Sequence, residues 1–482
     1  MTTPDGYPKL ALYIDGEWTA GSGSRREAVI NPATGDVLAE LPLAEATDLD
    51  RAAAAAGRGF QLWRDLPIER RSQILHGASA LMRQRAAGIG RIMTREQGKP
   101  LPEATGEVMR AATLLDWDCE EGRRAYGRII QAGPDQQLSV LKVPVGPVAA
   151  FIPWNFPAGG PMRKFAAAVS AGCSIVIKAS EETPGTVSAL VQCLADAGLP
   201  AGVVNLVFGV PSEVSEHLIP HPVIRFVAFT GSIPVGKHLA GLAAQVMKPA
   251  IMELGGHAPV IVCDDADPDT AAAECVKAKF VNAGQVCTSP SRFLVHESVH
   301  DKFVAAFVQA TDAVRVGNGL EEGVQMGPMA SARRRDAVDQ LIGEARDQGA
   351  TVLTGGHPLD GPGFFYAPTV LTDVPAQARL LHEEPFGPVA PILPFSDLDD
   401  ALAEANSLPY GLAAYGFTRS AEAADRLTRG FEAGILSINH CGGSVPIAPS
   451  GGVKESGYGR EGGSEGLDGY LVTKRVSHRL RG

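Results

Sequence analysis

Gly146-Pro-Val-Ala-Ala-Phe-Ile152, Ser174-Ile-Val-Ile-Lys178, Val203-Val-Asn-Leu-Val207 and Phe226-Val-Ala-Phe229 are four short β-rich runs in one stretch of the chain. Helix-like segments lie between them, over residues 164–171 and 185–197. Short apolar runs bounded by turns and alternating with helices read as parallel strands, because a parallel pair needs a long crossover that a helix supplies. The stretch therefore predicts a doubly wound α/β sheet. A second set follows, with strands over 260–262, 292–295, 368–371, 389–393 and Ile435–Ile438 and helices over 300–316 and 333–349. Upstream, residues 46–57, 69–87 and 104–121 read as helices, broken by Gln97-Gly-Lys-Pro-Leu-Pro102.

The 482 residues exceed one compact core and, at roughly 150 residues a unit, divide into about three. Apolar residues make up 45 % and charged residues 20 %, the balance of a globular chain. Lys plus Arg number 43 against 54 for Asp plus Glu, a net charge of −11, so no nucleic-acid and no membrane partner is expected. No run reaches the roughly 18 apolar residues of a membrane span. The opening segment lacks the basic-then-apolar order of a secretory signal. Seven scattered cysteines, without CxxC or a Cys/His cluster at metal spacing, predict neither a disulfide framework nor a metal. A reduced, cytoplasmic enzyme is the expectation.

Gly231-Ser-Ile-Pro-Val-Gly-Lys-His238 follows a strand and opens a helix, but ends in His238 where a P-loop needs a hydroxyl for Mg²⁺. The turn suits a phosphate, since free N–H groups and the helix dipole point at it; an ordinary capped turn would look the same. Gly457-Tyr-Gly-Arg-Glu-Gly462 satisfies GxGxxG formally, yet no strand precedes it and no helix clearly opens there. Cys287, in Phe280-Val-Asn-Ala-Gly-Gln-Val-Cys-Thr-Ser-Pro290, sits in a polar loop before a strand, where a thiol can be accessible and ionisable; an inert core cysteine is the alternative. Glu253, in Ala250-Ile-Met-Glu-Leu-Gly-Gly256, lies among apolar residues, which would raise its pKa to suit a general base, unless it belongs to a structural ion pair. Asn155, in Pro153-Trp-Asn-Phe-Pro157, offers an amide donor for an oxyanion, or merely occupies a rigid turn.

In this order and register, Asn31-Pro-Ala-Thr-Gly35, Pro153-Trp-Asn-Phe-Pro157, Phe229-Thr-Gly-Ser232, Glu253-Leu-Gly-Gly256, Gly284-Gln-Val-Cys287, Glu384-Pro-Phe-Gly-Pro-Val389 and Gly451-Gly-Val-Lys-Glu-Ser-Gly457 closely resemble the aldehyde dehydrogenase superfamily. The resemblance spans nearly the whole chain. It implies two doubly wound α/β domains and a small β flap: an NAD-binding domain from 1–123 and 146–253, a catalytic domain over 254–440, and an oligomerisation flap from 124–145 and 460–482. It implies a homodimer or homotetramer, through the edge strand Tyr470-Leu-Val-Thr-Lys-Arg-Val476. Cys287 would attack the aldehyde, with the Asn155 amide and its own N–H holding the oxyanion. Hydride transfer would leave a thioester, and Glu253 would activate water to hydrolyse it, which favours hydrolysis over transfer to CoA.

Lys178 and Glu181 would meet the adenine ribose, and Glu181 would repel a 2′-phosphate, so NAD is expected over NADP. Trp154, Gly231 and Ser232 would face the pyrophosphate, so His238 costs nothing. Glu384 and Phe386 would hold the nicotinamide ribose and ring. Ile152, Gly236 and Leu254 would complete the cofactor crevice, and Lys164 matches another family lysine.

His257, Ser450 and Pro385 depart from many relatives. With Cys287-Thr-Ser-Pro-Ser-Arg292 and Ser437-Ile-Asn-His-Cys-Gly-Gly-Ser-Val445, His257 is similar to the semialdehyde branch, which acts on α-ketoglutaric and succinic semialdehydes. A terminal carboxylate suits a guanidinium fork. Arg163 matches a substrate-binding arginine of that branch; Arg292 and Ser444 are further candidates. The competing readings are a broad-range enzyme for uncharged aldehydes, a cysteine hydrolase without redox chemistry, and an NTPase on Gly231–His238.

Overall fold

Three of the four β-rich runs form wholly buried strands, Val148–Phe151, Ile175–Lys178 and Val204–Val207, and the fourth forms Phe226–Gly231. Continuous apolar runs are what a parallel sheet covered on both faces requires. The computed structural model describes residues 6–442 and 445–480. In the first sheet the strands lie in the order Gly457–Tyr458, Ala250–Leu254, Phe226–Gly231, Val148–Phe151, Ile175–Lys178, Val204–Val207, Leu12–Ile14, Glu17–Thr19. The middle five are parallel and the outer strands antiparallel.

The chain winds outward from Val148–Phe151 in one direction, then returns to its other side with Phe226–Gly231. Ligands of doubly wound sheets bind outside the carboxyl ends of the strands at such a reversal. The residues at those ends are Ile152 to Asn155, Lys178, Gly231, Ser232, Glu253 and Leu254.

The second sheet has seven strands, ordered Thr351–Thr354, Thr369–Thr372, Val389–Phe395, Pro290–His296, Ala258–Val262, Ala413–Phe417, Ile435–Ile438, antiparallel only at the first. Gly255, Gly256 and His257 are all that separates the last parallel strand of one sheet from Ala258–Val262, an interior strand of the next. A small antiparallel sheet pairs Leu471–Arg479 with Gln136–Pro144 over nine positions, and Arg128–Gln131 closes it.

The core of the first sheet gathers residues from Tyr7 to Leu254, and then Leu467 and Tyr470 from the far end of the chain. The strand Ala250–Leu254 is absent from the sequence reading, as are Thr351–Thr354 and Ala413–Phe417. The mixed run Ala-Ile-Met-Glu-Leu shows no alternation, and pairing on both sides makes it a strand. Residues 457–462 start as the edge strand Gly457–Tyr458 after a short 3-10 turn and open no helix directly, so the formal GxGxxG is a coincidence of glycines.

All seven cysteines are free thiols. Among the described residues, His76, Cys119 and Glu120 form the one group of potential metal donors, and both His76 ring nitrogens already meet carboxylates, Asp116 at 2.8 Å and Glu120 at 2.9 Å. No helix among the described residues is long and apolar enough to cross a membrane.

Candidate active site

Cys287 ends a tight loop that runs from the helix Pro268–Lys279 to the strand Pro290–His296. Three successive residues of that loop, Asn282, Ala283 and Gly284, have left-handed backbone, with φ of +51°, +53° and +70°. Such conformations persist only when the surroundings over-determine them. Asn282 is held by its side chain, and Gly284 by a close approach: a Cβ there would stand 2.2 Å from the Gly387 carbonyl oxygen. Gly284→Ala is therefore expected to destabilise the protein by about 2–4 kcal/mol, read as a lowered thermal midpoint. A midpoint unchanged from the parent would contradict the clash.

Asn155 Nδ2 donates to the Gln285 carbonyl at 3.2 Å, so the expected oxyanion donor touches the nucleophile loop. Cys287 is half-buried, between the accessible, ionisable thiol and the inert core cysteine that its sequence allows. Desolvation first, then the Glu253 and Glu384 carboxylates, push the thiol up, and the Arg163 charge opposes them.

Glu253 also departs from expectation. Burial raises it, but a hydrogen bond from Glu461 and the charges of Lys164 and Arg163 outweigh that and hold it at about 2. Glu461 takes the opposite course: burial and the Glu253 charge lift it from its ordinary 4.5 to about 8, against Lys164. Two carboxyls buried together would hold one proton between them, on Glu461, and leave Glu253 ionised. Fully buried Lys164 completes the group, at 3.6 Å from Glu253 and in contact with Glu461 and the Thr230 hydroxyl.

The sequence reading missed Glu461, which sits in a glycine-rich segment with no apolar signal around it. A carboxyl whose folded pKa is raised contributes stability that is present in full below about 4.5 and is lost as pH rises through about 8. The wild-type thermal midpoint is thus expected to fall between pH 5 and 9. Glu461→Gln, which carries the neutral donor permanently, should flatten that slope; an unaltered slope would assign it to other groups.

The crevice at the carboxyl ends of the first sheet's strands has features that suit a dinucleotide. Lys178 Nζ donates to Glu181 at 2.7 Å, and the Gly209 N–H holds the other Glu181 oxygen at 3.0 Å, both side chains being buried. Ser232 begins the helix Ile233–Gln245 with no side-chain cap, leaving its N–H groups free for an anion. Gly236 lets that helix lie against Leu254, since a Cβ would stand 2.3 Å from the leucine. Ile152 and Leu254 are core residues, 5 % exposed, and Ile152 donates to the Lys178 carbonyl.

Trp154 meets Phe386 edge-on at 5.7 Å. Phe386 has φ +45° and lies under Arg334, whose guanidinium also binds the Pro385 and Phe386 carbonyls. Glu384 Oε1 is buried without a hydrogen-bond partner, and burial lifts that carboxyl to about 8. An orphaned acceptor beside Gly255, where a Cβ would come within 2.3 Å of Glu384, fits a ribose hydroxyl.

Arg163 neighbours Lys164 on the helix Gly159–Ala171, and its charge reaches Cys287, Glu253, Glu461 and Asp118. Arg292 is a correction. It is 2 % exposed, and its guanidinium bonds the carbonyls of His257, Glu404 and Ala405, so it is a structural residue rather than a carboxylate receptor. His257 is likewise structural, taking Ser291 on Nδ1 and the Leu380 carbonyl on Nε2. Ser444 lies outside the described residues.

A doubly wound sheet with a dinucleotide crevice that opens toward a cysteine loop of a second α/β unit is the architecture of a pyridine-nucleotide oxidoreductase. The family model described as the aldehyde dehydrogenase family matches residues 18–476. A 4-(hydroxymethyl)benzenesulfonate dehydrogenase of Comamonas testosteroni is 51 % identical over 96 % of this chain and 97 % of its own length. The NADP-dependent succinate-semialdehyde dehydrogenase of Escherichia coli is 41 % identical over 96 % of both. A crystal structure described as an Escherichia coli NADP-dependent enzyme superposes with a TM-score of 0.97 at 40 % identity, covering 100 % of both chains. The chain belongs to the aldehyde dehydrogenase family, and is an NAD(P)-dependent oxidoreductase that oxidises an aldehyde.

Proposed function

We propose that the chain oxidises an aldehyde bearing an anionic group, first of all a dicarboxylic semialdehyde, to the corresponding acid, with NAD as acceptor. Arg163 carries this reading: a guanidinium whose charge is felt at the Cys287 thiol is suited to hold the far end of a short anionic aldehyde while the near end meets the sulfur. The relatives just described act, by name, on a sulfonate-bearing compound and on a semialdehyde. That favours a sulfonate-bearing aldehyde as the second reading.

In the reaction the Cys287 thiol gives up its proton to solvent, its sulfur adds to the aldehyde carbon, and the carbonyl oxygen becomes an oxyanion held by Asn155 Nδ2 and the Cys287 N–H. Lys178, Glu181, Ser232 and Glu384 would hold NAD(P), which when bound would supply the hydride acceptor for this step. The carbon is left as a thioester on Cys287. Glu253, held ionised, then takes a proton from water, whose oxygen attacks the thioester and releases the acid. Glu461 and Lys164 keep that carboxylate charged and oriented.

Preference for NAD follows from Glu181, whose buried carboxyl beside Lys178 would crowd and disfavour a 2′-phosphate, although the Escherichia coli relative uses NADP by name. A homodimer or homotetramer would use the small antiparallel sheet, which leaves Leu471–Arg479 as an edge and exposes Ile129, Val472 and Leu480. Cytoplasmic location remains the expectation from reduced cysteines.

The test is NADH or NADPH formation with succinic, glutaric and α-ketoglutaric semialdehydes, 4-sulfobenzaldehyde and uncharged aldehydes of matched length. An anion preference of about 10-fold or more in kcat/KM is expected, and Arg163→Ala should cost the anions about 10- to 100-fold more than the uncharged aldehydes. Equal rates with uncharged aldehydes would return the chain to the broad-range reading. Product formation without either nucleotide would favour the hydrolase.

A further inference from the structure

We propose that Lys99 is a positioning residue for the oxyanion site, acting on Asn155 through its main chain; the inference rests on the reading of Asn155 as the oxyanion donor. Lys99 has no solvent exposure at its side chain, and its ammonium makes two bonds. One goes to Glu107 Oε2 at 2.6 Å and one to the Asn155 carbonyl oxygen at 3.0 Å. Glu107 uses its other oxygen to accept the N–H groups of Ala158 and Gly159, at 2.8 and 2.9 Å. One buried ion pair thus grips the Pro153-Trp-Asn-Phe-Pro157 turn at Asn155 itself and again just beyond it.

The other side of the turn is fixed from the same segment. Gln97 Oε1 accepts the Lys99 N–H at 3.0 Å, and Gln97 Nε2 donates to Asn282 Oδ1 at 2.6 Å. Asn282, in left-handed backbone five residues before the nucleophile, returns a hydrogen bond from Nδ2 to the same Asn155 carbonyl at 3.0 Å. The oxyanion turn and the cysteine loop are therefore set against each other by Gln97 and Lys99, which lie about fifty residues from one and almost two hundred from the other.

A buried ion pair is weak evidence for stability alone, because apolar side chains of similar volume commonly replace one without loss. It is well suited to precision. An amide donor aimed at a developing oxyanion must hold its place to within about 0.5 Å, and a displacement of about 1 Å costs on the order of 100-fold. Residues that fix the Asn155 carbonyl fix the origin of its side chain.

The experiment compares Lys99→Met, Asn155→Ala and the double variant in full-length protein. Lys99→Met should lower kcat for aldehyde oxidation by about 30- to 100-fold, with KM for aldehyde and NAD affinity within about 3-fold of the parent. Alkylation of Cys287 by iodoacetamide, which passes through no tetrahedral oxyanion, should stay within about 3-fold. Asn155→Ala should lose about 100- to 1,000-fold. Because Lys99 acts through Asn155, the double variant should be no slower than Asn155→Ala.

Additive losses, an equal fall in alkylation, or an unchanged kcat in Lys99→Met would each overturn the positioning role and leave the oxyanion reading standing. A fully active Asn155→Ala would overturn both. If Lys99→Met fails to fold, Gln97→Met, which breaks only neutral hydrogen bonds, carries the same comparison with an expected loss of about 10-fold.

Discussion

Cys287→Ala is expected to lower aldehyde oxidation by about 10⁵-fold or more, with cofactor binding intact. The size follows from the division of labour in the site. Asn155, Glu253 and the cofactor crevice act on a covalent adduct, and without the sulfur there is no adduct to act on. The substitution removes one half-buried sulfur atom and leaves the loop backbone unchanged. Lys178, Glu181 and Ser232 belong to the other sheet, so nucleotide affinity, read by fluorescence titration, should match the parent. Five of the remaining thiols are buried and the sixth, Cys441, is half-buried. A variant keeping more than about a hundredth of parent activity would move the nucleophile to Cys441.

The second large effect is expected at Glu253. Glu253→Gln preserves shape and volume, removes the charge that Lys164 and Glu461 face, and cannot take a proton from water. Steady-state turnover should fall by about 10²- to 10⁴-fold. The first turnover should survive, because attack and hydride loss precede the hydrolytic step. Rapid mixing should then give a burst of about one nucleotide reduced per site, followed by near arrest, with the acyl group found on Cys287 by intact mass. A burst lost in proportion to turnover would remove Glu253 from hydrolysis and put its role in the attack.

Much of this arrangement is legible in the chain because local signals and tertiary outcome agree. Buried parallel strands must be apolar throughout, so the run from Val148 to Phe229 announces them. Turns at their carboxyl ends carry the residues that meet ligands. What the chain conceals is pairwise. Arg292 has the same sequence signature whether it faces substrate or three carbonyls, and burial decides between them. Glu253 looks like a carboxyl raised by apolar neighbours until Glu461, more than two hundred residues away, donates a hydrogen bond to it. Gln97-Gly-Lys-Pro reads as a break between helices, and its bonds to Asn155 and Asn282 exist only once two loops meet it. The strand Ala250–Leu254 has no pattern of its own and is made by its neighbours on either side.

The edge strand Gly457–Tyr458 has a consequence for biosynthesis. It pairs with Met252 and Glu253 and brings Glu461 with it. Ser456 meanwhile bonds the Gly255 carbonyl and the Gly411 N–H, tying the junction between the two sheets. A ribosome adding about 5–20 residues per second needs tens of seconds to travel from Glu253 to that segment. Throughout that interval the first sheet lacks its edge strand and the Leu467 and Tyr470 side chains of its core, and Glu253 lacks its partner. Until that segment has been made, the strand Ala250–Leu254 is paired on one side alone and Glu253 lacks Glu461.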